Sequence, residues 1–227
     1  MLKIVDNILE ASFVTHDGKF HADDVFATVF LEKVFKDVTL YRTKEIEGSA
    51  YQDKIIYDIG FGEFDHHQDK ARVREGGIKY CSFGLLFEKY GKDYLQKLSV
   101  KEIDEAYHIY VRDFVTQIDA FDNGFFPPTP KDYKVSSLSE IIESLNPTWC
   151  EEKSYQEAFY EAYEVAKIIF NRFERRTLDY LKAKDRVEEA ISKSENHLLI
   201  LDKYLPYSQT VLESKNKKAK DIFFAVF

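Results

Sequence analysis

Before residue 70, three strand-like runs lead onto histidine or carboxylate, and a helical stretch follows the first of them. Residues 11–15 form a short apolar run that meets His16. Residues 21–35 then place Val25, Phe26, Val29, Phe30 and Val34 at helical spacing. Asp23 and Asp24 fall in that helix's first turn, where the helix dipole favours negative charge. Residues 38–42 read as a second strand and residues 54–60 as a third, which carries Asp58 and ends in a glycine turn. Gly62 to Asp65 leads into the pair His66-His67. Strands that alternate with helices imply a mainly parallel, doubly wound α/β sheet. In such sheets the site lies beyond the carboxyl ends of the strands. His16, Asp58 and the Asp65-His66-His67 group all fall there.

The remainder of the chain changes character. Residues 82–90 read as a helix, and residues 101–118 as another that breaks at Asp119-Ala-Phe-Asp122-Asn-Gly124. Prolines make residues 125–130 a loop. A short helix is expected over 135–145. One long or once-broken helix follows over 155–193, with Tyr155, Phe159, Ala162, Ala166, Ile169, Phe173 and Leu181 as its buried stripe. Residues 197–201 form a strand, and the apolar run 221–227 reads as another that something must cover. The expected organisation is a metal-binding α/β domain over 1–125, a helical segment over 126–195, and a short second α/β module over 196–227 that reads as incomplete.

Bulk properties narrow the function classes. A chain of 227 residues can bury roughly 70–75% of its unfolded surface without disulfides. Cys81 and Cys150 lack zinc-ribbon spacing and read as reduced thiols. No membrane-length apolar run and no signal-peptide pattern is evident, so a cytoplasmic protein is expected. The net charge of −8, from 32 basic and 40 acidic residues, argues against broad electrostatic capture of duplex nucleic acid. It leaves room for a phosphorylated substrate, because bound cations supply positive charge locally.

Four of the six histidines, His16, His21, His66 and His67, stand beside carboxylates. Imidazole with carboxylate is the ligand set that borderline divalent ions such as Mn²⁺ select. His16 and His21 are too far apart for the zinc HExxH pattern. A strand-end His followed by a helix-start His-x-Asp can wrap three ligands, His16, His21 and Asp23, round one point. In Asp65-His66-His67 one ring can bind a metal while the other faces substrate, with Asp65 fixing a tautomer. Lys70, Arg72, Arg74 and Lys79 form a basic loop beyond the pair that could stabilise developing negative charge.

These motifs carry a resemblance. His16 through Asp24, Asp58-Ile-Gly, Phe-Asp65-His66-His67-Gln, Tyr80-Cys-Ser-Phe-Gly-Leu85 and Asp119-Ala-Phe-Asp122-Asn-Gly resemble the melanocyte-proliferating-gene (Myg-type) family. The likeness continues through Val135-Ser-Ser-Leu-Ser and Leu145-Asn-Pro-Thr-Trp149 to Leu199-Ile-Leu-Asp202. That family consists of metal-dependent hydrolases described as exonucleases, within the DHH phosphoesterase superfamily. The resemblance implies two Mn²⁺-type ions, with Mg²⁺ or another divalent ion as the alternative. Carried onto this chain, the ligands are His16, His21, Asp23, Asp58, His66 and Asp119, with Asp122 competing with Asp119. The superfamily's usual first motif is His-x3-Asp-x-Asp, whereas this chain has His16-x4-His21-x-Asp23. Where the family usually has Pro-Trp-Lys, this chain reads Pro206-Tyr207-Ser208.

The expectation is a metal-dependent phosphodiesterase or exonuclease acting on RNA or short oligonucleotides. His67 and Asp65 would be its catalytic pair, and Arg72, Arg74 and Lys79 would contact substrate. A small-molecule phosphatase or pyrophosphatase, and a non-catalytic metal- or nucleotide-binding module, are the alternatives.

Overall fold

The computed structural model describes residues 1–68, 71–126, 128 and 130–227. Lys70 of the basic loop, and Pro127 and Thr129 of the proline loop, lie outside the described residues. The chain divides into two compact units, one of residues 1–99 and 103–171, the other of residues 100–102 and 172–227.

In the first unit, β1 (Leu2–Ile4), β2 (Phe13–His16), β3 (Val38–Thr43) and β4 (Ile55–Ile56) form one sheet. Its order is β1-β3-β2-β4, and every neighbouring pair is parallel. The parallel α/β reading therefore holds. Residues 2–4 add a strand that the sequence reading did not place, pairing Leu2 with Val38. β3 alternates in burial as a strand packed on one face should, with Val38, Leu40 and Arg42 inward. The third expected strand is cut to two residues. Its backbone turns out of the extended region at Asp58 (φ 57°), Gly60 (φ 86°) and Phe61 (φ 56°).

The helix α1 (Ala22–Phe35) returns the chain from β2 to β3, as a parallel connection requires. Every residue from Ala22 to Leu31 is buried, so this helix is covered all round. α2 (Ser82–Lys97) runs further than the expected 82–90. α3 (Ile103–Tyr110) passes through a π-helical turn, Val111–Val115, straight into α4 (Thr116–Asp122). The expected break at Asp119 is thus displaced: the helix continues to Asp122, and Gly124 (φ 77°) supplies the turn that stops it. Asp119-Ala-Phe contains no residue that ends a helix, whereas Asn123-Gly124 does.

α5 (Leu138–Glu143) opens on Ser137 and Glu140, whose side chains bond each other's backbone N–H groups at 3.1 and 2.9 Å. α6 (Tyr155–Ser192) is continuous over 38 residues, the unbroken one of the two expected forms. Its buried stripe is rotated slightly from the expected one. Phe159, Ala162 and Ala166 face inward with Tyr163 and Phe170, whereas Tyr155 is exposed. The core of this unit is aromatic. Phe26 meets Phe83 and Phe114, and Phe30 meets Phe87, Tyr94 and Phe170, with ring centroids 5.1–6.4 Å apart.

In the second unit β5 (Leu198–Ile200) pairs in parallel with β6 (Phe224–Val226), with α7 (Ser208–Glu213) on the connection between them. Its core gathers Ala183, Val187, Ile191, Leu199, Leu201, Leu205 and Ala219. Cys81 and Cys150 are free thiols, the first buried and the second exposed. Among the described residues, no helix is long and apolar enough to cross a membrane.

Candidate metal centre

His16 ends β2, and its Nε2 lies 3.2 Å from Asp24 Oδ2 and 3.2 Å from Asp58 Oδ2. Two tethers set this strand-end geometry. The buried Arg42, two residues from the Val38-to-Leu40 face of β3, donates from Nε to the His16 carbonyl at 3.2 Å and from Nη2 to the Gly18 carbonyl at 3.0 Å. Its guanidinium lies 4.1 Å from the Phe159 ring centroid. Asn146 brackets the Phe20 backbone, accepting from its N–H at 3.0 Å and donating to its carbonyl at 2.8 Å. His21 follows immediately as the N-cap of α1, and its N–H donates to Asp24 Oδ1 at 3.0 Å.

Asp23, on the next residue of the same helix turn, is clasped from α2. Ser82 donates from Oγ at 2.6 Å and from N–H at 3.2 Å, both to Asp23 Oδ2. Asp58 is held at positive φ between two imidazoles, with Oδ1 3.0 Å from His66 Nε2. His66 Nε2 is also 3.2 Å from Asp122 Oδ2 and 3.8 Å from Asp23 Oδ2. Three groups of ligand atoms result, each close enough to share an ion: His16, Asp24 and Asp58; His21, Asp23 and Asp122; Asp58, His66 and His67.

The charges in this cluster are mutually dependent. Burial alone would lower the His16 pKa, but the Asp24 and Asp58 carboxylates outweigh it and hold it at about 11. Burial would raise Asp58, yet His16 and His66 bring it down to about 2. Asp23 is pushed well above the usual carboxylate range, first by burial and then by Asp58, Asp122 and Asp24. Burial lifts Asp122 to about 6 against the pull of His66. Metal-free, the site is an excess of buried carboxylate around a few imidazoles.

The decisive observation concerns orphaned oxygens. Asp23 Oδ1, Asp24 Oδ2, Asp58 Oδ1 and Asp122 Oδ2 are buried and make no hydrogen bond. Of these, Asp24 Oδ2, Asp58 Oδ1 and Asp122 Oδ2 each stand 3.0–3.2 Å from an imidazole nitrogen. The large majority of buried polar side-chain atoms in proteins are paired. Four such oxygens beside imidazole nitrogens fit a divalent cation, which takes both donor types.

Of the residues expected at the site, the structure brings together His16, His21, Asp23, Asp58, His66 and His67. Asp119 lies elsewhere. It accepts from Arg74 Nε on one oxygen, and from the Cys81 N–H and Sγ at 2.9 Å on the other. Gly84 leaves the space for it, since a Cβ there would stand 2.1 Å from Asp119 Oδ1. Burial raises Asp119 against the lowering effect of Arg74 and raises the Cys81 thiol further. One turn on, Asp122 joins the ligand groups that Asp119 does not.

Asp65 is buried and bridges two neighbours. Its Oδ1 receives His67 Nδ1 at 2.7 Å and the His67 N–H at 3.0 Å, while Oδ2 receives the Phe61 N–H at 2.6 Å. The His67 side chain remains 55% exposed. Arg72 pairs with Glu88, Arg74 stacks over Tyr80 with 4.1 Å between guanidinium and ring centroid, and Lys79 is exposed. Sequence reasoning did not single out Arg42, Ser82 or Asn146; it placed Asp24 in the first turn of its helix without making it a ligand, and set Asp122 second to Asp119. Only Ser82 and Asn146 had a signal, as members of the motifs that carried the resemblance.

Comparison with known proteins bears on this centre. The family model for MYG1 exonuclease, described as Uncharacterised protein family (UPF0160), matches residues 12–227. A MYG1 protein of Saccharomyces cerevisiae is 29% identical over 94% of this chain and 73% of its own length. A MYG1 protein of Caenorhabditis elegans is 31% identical over 79% of this chain and 59% of its own. The MYG1 exonuclease of Mus musculus is 29% identical over 79% of this chain, which spans 54% of that protein. No solved structure matches the chain.

Proposed function

The chain belongs to the MYG1 exonuclease family, UPF0160, and from that premise we propose that it is a metal-dependent phosphodiesterase of DHH type acting on RNA or short oligonucleotides. The observation that carries this reading is the set of four buried carboxylate oxygens without hydrogen-bond partners. The name of the mouse relative points the same way. Two Mn²⁺-type ions would be held by His16, Asp24 and Asp58 on one side and by His21, Asp23 and Asp122 on the other, with His66 between the two sets. When bound, such ions polarise a phosphoryl oxygen and make water a nucleophile at neutral pH.

The chain's own residues do the rest. Ser82 fixes Asp23 by one oxygen and leaves the other for the ion. Asp65 can only accept from His67, so the His67 Nδ1 carries the hydrogen and Nε2 is turned outward. From there Nε2 accepts a proton from the attacking water, and the imidazolium so formed, held by Asp65, passes it to the leaving oxygen. Arg72, paired with Glu88, lines the cavity that His66 also lines, and the exposed Lys79 lies on the same loop. Asp119 serves by seating Arg74 rather than as a ligand.

Incubating the Mn²⁺-loaded protein with short RNA, short DNA, pyrophosphate and a phosphomonoester tests the proposal. Release of mononucleotides from an oligonucleotide is the expected result. Turnover of pyrophosphate or the monoester alone replaces the reading with a small-molecule phosphatase, and turnover of none replaces it with a binding module.

A further inference from the structure

A cavity of 460 Å³ opens beside the histidine pair, lined in part by Asp65, His66, Gln68, Arg72 and Tyr80 with Phe61 at its edge. Its volume falls in the range of small-molecule pockets, ~300–1,000 Å³. His66 lines the cavity and also faces Asp58 and Asp122, so one side chain is shared by the cavity wall and the candidate metal centre.

Phe61 is out of place by two independent criteria. It is 71% exposed, and its backbone has φ 56°, a region that bulky residues enter at a cost. A glycine would hold that turn without strain and without placing an apolar ring in water. The surroundings nevertheless hold it firmly. Its N–H donates to Asp65 Oδ2 at 2.6 Å, and Gln68 Nε2 donates to the carbonyls of Gly62 and Asp65 at 2.7 and 3.1 Å. The other Asp65 oxygen orients His67. One buried carboxylate therefore sets the spacing between an exposed aromatic ring and the outward-facing imidazole.

We propose that this cavity receives the nucleobase next to the scissile phosphate, stacked on the Phe61 ring, with Arg72 and Tyr80 forming the opposite wall. This rests on the phosphodiesterase reading and names how that site grips its substrate. Stacking on an aromatic ring tolerates every base and is a strong contributor to single-strand binding. It also supplies affinity that a chain of net charge −8 does not gain from a basic face.

The test uses the Mn²⁺-loaded protein and two short RNA oligonucleotides that differ only in whether the terminal nucleotide carries a base, plus a third with terminal 2-aminopurine. The expected wild-type result is kcat/KM at least tenfold higher with the base present, together with quenching of 2-aminopurine. F61A should bring the ratio towards one through KM and abolish the quenching, while F61W should restore both. F61G should lose the same discrimination yet melt at a higher temperature, a combination that a purely structural residue would not give. Equal cleavage of base and abasic substrates by the wild type, without quenching, overturns the pocket and leaves the phosphodiesterase reading intact. Cleavage of neither overturns that reading instead, and the quenching then decides the pocket alone.

Discussion

Ser82 Oγ stands 2.6 Å from Asp23 Oδ2, across 59 residues of chain, and the Asp23 Oδ1 that it leaves free is buried without a hydrogen bond. A hydroxyl at the first residue of α2 thereby orients a carboxylate in the first turn of α1. S82A should weaken Mn²⁺ binding by about 10–100-fold, as loss of a ligand's supporting hydrogen bond does. Calorimetric titration measures it. An unchanged Kd would mean that Asp23 is placed by packing alone.

Asp23 illustrates the conflict between stability and site. Its carboxyl is pushed up first by burial and then by Asp58, Asp122 and Asp24. D23N should raise the melting temperature of the metal-free protein while reducing its response to metal. For the wild type, Mn²⁺ at about 100 times its Kd contributes about 2.7 kcal/mol. In a chain of this size that corresponds to a rise of about 5–10 °C. Thermal denaturation with and without Mn²⁺ reads both effects. A metal-induced rise in D23N equal to the wild type's would remove Asp23 from the centre.

Asp119 and Arg74 form a buried pair, with side chains 0% and 10% exposed. Removing one partner strands the other charge, so D119A should destabilise the fold by about 3–5 kcal/mol in urea. G84A forces a Cβ against the same carboxylate and should cost about 1–3 kcal/mol. A loss well below 1 kcal/mol for both variants would contradict this seating of Asp119.

Glu32 predicts the acid side of the stability profile. Burial would raise its pKa, but Lys167, at 2.8 Å, and the Tyr163 hydroxyl outweigh it and the value is lowered. A carboxyl lowered in the folded state adds stability above its unfolded pKa and loses it as pH falls through the folded value. Relative to wild type, E32Q should therefore be less stable at pH 7 by up to about 1 kcal/mol. That difference should shrink towards zero below pH 4. Urea midpoints across this range measure it, and a gap that widened on acidification would refute the assignment.

Much of the site was legible because its residues end strand-like runs. His16 and Asp58 each follow an apolar stretch, and parallel α/β sheets present such positions on one edge, while His66 was marked by its place between Asp65 and His67. The sequence favoured Asp119 over Asp122, whereas Asp122 is the one that joins a ligand group, and the choice depends on helix phase. The π-helical turn at Val111–Val115 alters that phase ahead of both. The tethering roles of Arg42 and Asn146 were illegible for another reason, although Asn146 lay within a motif of the resemblance. They act on backbone atoms 26 and 126 residues away, and no local spacing records such tethers. The strand at Leu2–Ile4 was too short to leave a periodic signal.

In the proposed site the cluster of His16, His21, Asp23, Asp24, Asp58, His66 and Asp122 would hold metal, and Asp119 would not. Mn²⁺ titration of the wild type, D122N and D119N, followed by the electron paramagnetic resonance of the free ion, addresses it directly. Two ions should bind to the wild type and the same number to D119N, while D122N should show weakened or lost binding of one ion. Full binding by D122N with loss in D119N would contradict it.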